Sequence, residues 1–275
     1  GRNPGILASG KHDEHFYKEM WKALQTKGSW RGEIWNRRKD GVLFPEWQSI
    51  TVSRDEKGEI SHYIATLSDI SERKEAEQRL RYLADYDPLT DLPNRRLLSE
   101  RVEKAIRIAR RHGHQHSHGA NKVALFFIDL DRFKNVNDSM GHAAGDQVLV
   151  QVAKRLQAIV RPDDTVSRLG GDEFVVLMSD SHLPDVAATL SDRILDMIAQ
   201  PLSIDGRNLV LTPSIGIAVF PFDGLDFETL SRNADAALYH AKDLGRNNYQ
   251  FYTDEMNQQV SQRLEMENGL RRAIS

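Results

Sequence analysis

Residues 167–178, Ser-Arg-Leu-Gly-Gly-Asp-Glu-Phe-Val-Val-Leu-Met, constrain this chain more than any other stretch. Two glycines between apolar runs spell a tight hairpin turn, because glycine reaches positive φ without steric cost. A turn has no need of Asp172 and Glu173, which bring two carboxylates to the point where the chain re-enters a core. The run Val123 to Ile128, followed by Asp-Leu-Asp, has the continuous apolar character of a strand buried on both faces. Strand alternation puts Phe127, Asp129 and Asp131 on one side, and Phe126, Ile128 and Leu130 on the other. If strands 164–168 and 173–178 form a hairpin beside this run, Asp172 and Glu173 arrive next to Asp129. Such a cluster is unfavourable unless a cation or several donors satisfy it. Mg2+ suits it, taking one or two carboxylates together with the phosphate oxygens of a nucleotide. On this stretch alone a plainer reading stays open, in which Asp129 and Asp131 cap the following helix or pair with Arg132 or Lys134.

Composition narrows the partners. A chain of 275 residues with 40% hydrophobic and 28% charged content is globular and long enough for about two domains. A formal net charge of −3 argues against a broad grip on nucleic acid, so any phosphate binding must be local. The absence of cysteine excludes disulfides and thiolate metal sites. No run approaches the ~18 apolar residues of a membrane span, and no signal peptide opens the chain. The expectation is a cytoplasmic segment without membrane contact of its own, an upstream anchor being left open.

Residues 13–27 carry Phe16, Tyr17, Met20, Trp21 and Leu24 at helical spacing, ending near Gly28. Three strand-like runs follow, turning at Lys39-Asp40-Gly41 and again at Asp55 to Glu59. The stretches Gly28 to Gly41 and Asp55 to Lys74, closing on Asp-Ile-Ser-Glu-Arg-Lys at 69–74, resemble the second half of a PAS sensor domain. The first half of that fold is missing, so no sensed ligand follows. Residues 71–86 then read as a helix with Ala76, Leu80 and Leu83 on one stripe. It is either a solvated linker or a short parallel coiled coil. Asn94 is placed to cap a helix over 95–111. Beyond it lies a loop with four histidines, His112, His114, His116 and His118. Imidazoles at this spacing could take a transition metal, but on a loop without supporting partners a solvated segment is the better reading.

The unaltered Gly-Gly-Asp-Glu-Phe at 170–174, with Phe-Ile-Asp-Leu-Asp-Arg-Phe-Lys at 127–134 and the spacing on to Asp146, resembles the GGDEF family of diguanylate cyclases from about Asp87 to Thr253. The resemblance implies a Mg2+ site, with Mn2+ as the alternative, formed by Asp129, Asp172 and the Leu130 carbonyl. Glu173 would assist at the reacting ribose hydroxyl or at a second metal. It implies guanine readers at Asn137 and Asp146, whose amide and carboxylate suit the acceptors and donors of that base. Asn137 could also cap the helix running through Val148 to Ile159. Phosphate contacts would come from Lys134, Lys242 and Arg246. The last two sit at the end of a helix with the core stripe Leu230, Ala234, Leu238 and Ala241, where basic residues are also commonplace. Arg161 and Asp164 match the family's product-inhibition motif, although Pro-Asp-Asp at 162–164 is equally a simple turn.

The implied fold is α/β (α+β): a partial PAS meander over 1–70, a linker helix over 71–86, and a GGDEF domain over 87–253. The last is an antiparallel sheet of β-α-β-β-α-β type, flanked by helices and including the run Leu209 to Phe220. A helical connector over 254–275 would lead towards a phosphodiesterase domain of the EAL type. The implied activity is condensation of two GTP molecules to cyclic di-GMP in a homodimer under PAS control. The alternative is a GTP-binding regulatory module with little turnover.

Overall fold

The computed structural model of the chain describes residues 4–113, 122–180, 183 and 185–256. The chain divides into two compact units between Tyr82 and Leu83.

In the first unit, helix α1 (Glu14–Lys27) starts where the Asp13 carboxylate accepts from the Phe16 amide at 2.8 Å. It stops at Gly28, whose φ of +73° lets its amide close back on the Leu24 carbonyl. Strands β1 (Ser29–Arg37), β2 (Leu43–Arg54) and β3 (Ile60–Asp69) form an antiparallel meander in that order. β3 is an edge strand, and Ile64 and Leu67 on it are exposed. Helix α2 (Ser71–Asp85) follows, with Ala76, Leu80 and Leu83 on its surface.

The second unit opens on helix α3 (Arg95–Gly113), capped as its sequence suggests: Asn94 Oδ1 accepts from the amides of Arg96 and Leu97. Then come β4 (Lys122–Leu130), α4 (Phe133–Met140), α5 (His142–Ile159), β5 (Thr165–Gly170), β6 (Glu173–Asp180) and α6 (Asp185–Ile198). A small hairpin of β7 (Leu202–Ile204) and β8 (Arg207–Leu209) precedes β9 (Pro213–Phe220), α7 (Phe227–Asp243) and β10 (Tyr249–Phe251). Five strands make one sheet in the order β10-β9-β4-β6-β5. β4 lies between β6 and β9, antiparallel to both. The expectation of a wholly antiparallel sheet needs one correction. β10 runs parallel to β9, because the chain returns through α7 and a helical crossover sets strands parallel.

Alternation along β4 sorts the core into two layers. Ala124, Phe126, Ile128 and Leu130 pack with residues of α4, α5 and α6, while Val123, Leu125 and Phe127 pack with residues of α3 and α7. β6 repeats the pattern, with Phe174, Val176 and Met178 in the first layer and Val175 and Leu177 in the second. Helix α7 can lie close to β9 because residue 216 is glycine: a Cβ there would stand 2.1 Å from the Ala234 carbonyl oxygen. No helix among the described residues is long and apolar enough to cross a membrane.

Candidate active site

The hairpin places its carboxylates by register. Gly170 and Glu173 pair across the turn, with φ of +147° at Gly170 and +52° at Gly171. Nothing lies within 4 Å of a Cβ built at either glycine, so these positions require glycine for backbone angle and not for space. Phe174 points into the α4–α6 layer, so Glu173 points to the α3–α7 side, and there it is the direct cross-strand partner of Asp129. Side chains of such a pair have their Cβ atoms about 5 Å apart, so the two carboxylates repel each other. Lys242, in the last turn of α7, answers that repulsion with its Nζ 2.8 Å from Asp129 Oδ2.

Burial pushes the Asp129 carboxyl upward from its ordinary range. The hydrogen bond and charge of Lys242 oppose that rise, and the charges of Asp172 and Asp131 add to it. Solvent still reaches Glu173, yet its partial burial pushes its carboxyl upward too; the charges of Asp235, Asp129 and Asp172 add to the rise and that of Lys242 opposes it. Asp235 escapes a reading of the sequence. Its seven-residue spacing from Lys242, which puts both on one face of α7, is the signal that could have found it.

Among the described residues, no three His, Cys, Asp or Glu side chains are close enough to hold a metal ion between them. What is present fits a site of two carboxylates, completed by backbone and phosphate oxygens. Asp129 and Asp172 lie within electrostatic reach of each other and offer the hard oxygen donors that Mg2+ prefers. Leu130 follows at the end of β4, one residue past the last β4–β6 pair.

Asn137 lies inside α4, and its carbonyl accepts from the Gly141 amide at 2.9 Å. It is therefore not the cap of the next helix: α5 begins after Gly141, whose φ of +83° breaks the helical run. Asp146 stands exposed in the second turn of α5. The two helices pack with Gly145 against Asn137, where a Cβ would come within 2.0 Å of Asn137 Oδ1. Lys134 is exposed one turn before Asn137. Arg246 is exposed in the loop after α7. Asp131, one residue beyond the end of β4, is buried on the face of Asp129 as alternation implies: it accepts from the hydroxyl of Ser214, the cross-strand partner of Asp129.

Arg168 braces the hairpin from behind. Its guanidinium donates twice to the Gly171 carbonyl, at 2.7 and 3.0 Å, and grips Asp87 at 2.9 and 3.0 Å. Arg161 and Asp164 form a turn at the start of β5, with the Arg161 amide donating to the Asp164 carboxylate at 3.0 Å. The Arg161 guanidinium pairs with Asp180 at 2.7 Å. Asp180 ends β6, so this pair stands about 23 Å along the strand from Glu173. The histidine side chains of 112–118 and the segment beyond Met256 lie outside the described residues.

A family profile described as diguanylate cyclase, GGDEF domain, matches residues 84–248. The chain belongs to the GGDEF family.

Over 199 residues it is 45% identical to the bifunctional diguanylate cyclase/cyclic di-GMP phosphodiesterase MucR of Pseudomonas aeruginosa, covering 72% of this chain and 28% of MucR. It is 40% identical over 199 residues to the cyclic di-GMP phosphodiesterase NbdA of the same organism, covering 72% of this chain and 24% of NbdA. The chain thus spans about a quarter of the length of these curated relatives. Among solved structures, the GGDEF domain of YfiN from Pseudomonas aeruginosa matches with a TM-score of 0.60 at 36% identity, over 64% of this chain and 99% of that one. The coiled coil and GGDEF domain of DgcB from Caulobacter crescentus, in complex with c-di-GMP, matches with a TM-score of 0.57 at 28% identity, over 66% of this chain and 93% of that one. The second unit of this protein is a GGDEF domain, with a hairpin tip that keeps the signature whole.

Proposed function

We propose that this protein condenses two GTP molecules into cyclic di-GMP, releasing two pyrophosphates, and that the acid cluster at the hairpin tip is its catalytic centre. The observation that carries the reading is the direct pairing of Asp129 with Glu173 beside Lys242, an arrangement that a core does not need and a charged nucleotide does. Asp129, Asp172 and the Leu130 carbonyl would hold Mg2+ or Mn2+, which when bound would draw charge from the phosphoryl oxygens. Glu173, its carboxyl pushed upward, is suited to accept the proton of the attacking 3′-hydroxyl. Lys242, Arg246 and Lys134 supply positive charge to the triphosphate. Asn137 and Asp146 read guanine from the cleft between α4 and α5.

One domain holds one GTP, whereas the product joins two. Two copies must therefore present their sites to each other, and a two-fold dimer does so. The exposed Leu80 and Leu83 of α2 support a dimer contact there, with the first unit read as a partial PAS domain setting its geometry. At the far end of β6, Arg161 and Asp164 form the candidate product-inhibition site. A cyclic di-GMP phosphate there would have to compete with Asp180 for the Arg161 guanidinium.

A second reading, GTP binding with little turnover in control of a linked phosphodiesterase, draws support from relatives such as NbdA. One assay separates the two. The protein is incubated with GTP and Mg2+ and the nucleotides are resolved by chromatography. Cyclic di-GMP is the expected product, with turnover that falls when cyclic di-GMP is added and falls less in Arg161→Ala. Bound but unconverted GTP would favour the second reading, and absence of both binding and conversion would remove the site.

A further inference from the structure

The loop that carries Arg246 is held in shape by a residue outside every role assigned above. Asp131 is only 6% exposed, yet it carries a carboxylate. A buried charge of that kind persists only when hydrogen-bonded. Its Oδ1 accepts from the Ser214 hydroxyl at 2.7 Å, and its Oδ2 from the Thr212 hydroxyl at 2.7 Å and the Asn247 amide at 3.1 Å. The Asp131 amide in turn donates to the Thr212 carbonyl at 2.8 Å. Arg246 Nε stands 3.9 Å from Asp131 Oδ1. One side chain therefore ties the exit of β4 to the entry of β9 and to the loop between α7 and β10.

That loop needs tying. Arg246 and Asn247 adopt φ of +66° and +49° in succession, a left-handed backbone that asparagine takes more readily than most residues but that costs an arginine about 1–2 kcal/mol. Asn248 braces the same loop from the other side, donating to the carbonyls of Ala241 and Arg246 at 2.8 and 2.9 Å. The left-handed pair turns the chain so that the Asn247 amide meets the carboxylate, while the Arg246 side chain remains exposed. With Nε on the Asp131 side and Nη1 donating to the Lys242 carbonyl at 3.5 Å, the guanidinium keeps further N–H groups for a second anion.

We infer that Asp131 is a positioning residue that fixes the 245–248 loop and aims Arg246 at the triphosphate. The inference rests on the proposed nucleotide site for its ligand, and on the Asn247 hydrogen bond for its structural half.

Two measurements on the full chain test it. In the absence of nucleotide, Asp131→Asn should speed amide hydrogen exchange at Asn247 by about tenfold, as expected when a charged acceptor becomes neutral, while exchange in the β4–β6 ladder stays unchanged. By equilibrium titration with Mg2+ and a non-reacting GTP analogue, the same substitution should weaken binding about tenfold yet leave guanosine binding unaltered. Combined with Arg246→Ala, it should add little further loss, because both remove one function. Unchanged exchange at Asn247, equal weakening of guanosine and the GTP analogue, or additive losses in the double variant would each overturn the inference. If Asp131→Asn does not fold, Thr212→Val, which removes one hydroxyl donor to the same carboxylate, should give the same pattern at smaller amplitude. Absence of turnover in the wild type would remove the proposed cyclase activity and leave both readouts standing. Failure of the wild type to bind the analogue would remove the nucleotide site, and the Asn247 exchange would still decide the structural half.

Discussion

At the scale of single residues, the proposed site is built from side chains that are unfavourable for the fold and that a nucleotide would use. Asp129 and Glu173 repel across one rung of the sheet, and Lys242 offsets that repulsion. Gly145 shows the same logic in reverse. An alanine there gains up to about 1 kcal/mol of helix propensity, but its methyl group falls 2.0 Å from Asn137 Oδ1 and must push that side chain aside. Gly145→Ala should therefore leave the melting temperature within a few degrees of wild type and weaken guanosine binding about tenfold, roughly the worth of one displaced base contact. Calorimetry and titration check the two halves. Unchanged affinity would mean that Asn137 does not read the base.

Among elements, the hairpin is the part the rest is arranged to hold, and Arg168 couples its turn to the segment before α3. Burial disfavours the charge of Asp87, but the Thr90 hydroxyl and the Arg168 guanidinium more than offset it, so its carboxyl sits below the ordinary range. A carboxyl lowered in the folded state stabilises the fold above its unfolded pKa, about 3.9, and that stability is lost as pH falls through the lower folded value. Wild type should therefore exceed Asp87→Asn in stability at pH 7, and the gap should close on acidification below about pH 4. Denaturant unfolding at a series of pH values measures it, and a gap independent of pH would remove the clamp.

The pairing of β4 with β6, the apex glycines, the Asn94 cap and the buried stripe of α7 were legible because each is a local pattern: apolar alternation, positive φ, a capping side chain, a helical period. The parallel placement of β10 was not, since three residues carry no signal of direction. Alternation put Asp131 on the face of Asp129, where it lies, but its hydroxyl partners were not legible because they stand 81 and 83 residues further on. The place of Asn137 in the chain was not legible either: it lies inside α4, and α5 begins only after Gly141.

For the whole molecule, the stoichiometry of the proposed reaction demands more than one copy. Most of the described side chains of helix α2 are exposed, and Leu80 and Leu83 are apolar groups with 68% and 42% of their surface in water. Replacing both by aspartate should shift the protein from dimer to monomer in analytical ultracentrifugation. Turnover per chain should fall at least tenfold at low concentration, while GTP affinity of each domain stays unchanged. Undiminished turnover in that variant would place the productive contact elsewhere.

The most direct test of the account is a crystal structure with Mg2+ and a non-reacting GTP analogue. It should show the ion between Asp129, Asp172 and the Leu130 carbonyl, the base against Asn137 and Asp146, and the triphosphate at Lys242 and Arg246. An analogue bound with its phosphates remote from the Asp129–Glu173 rung would contradict the account.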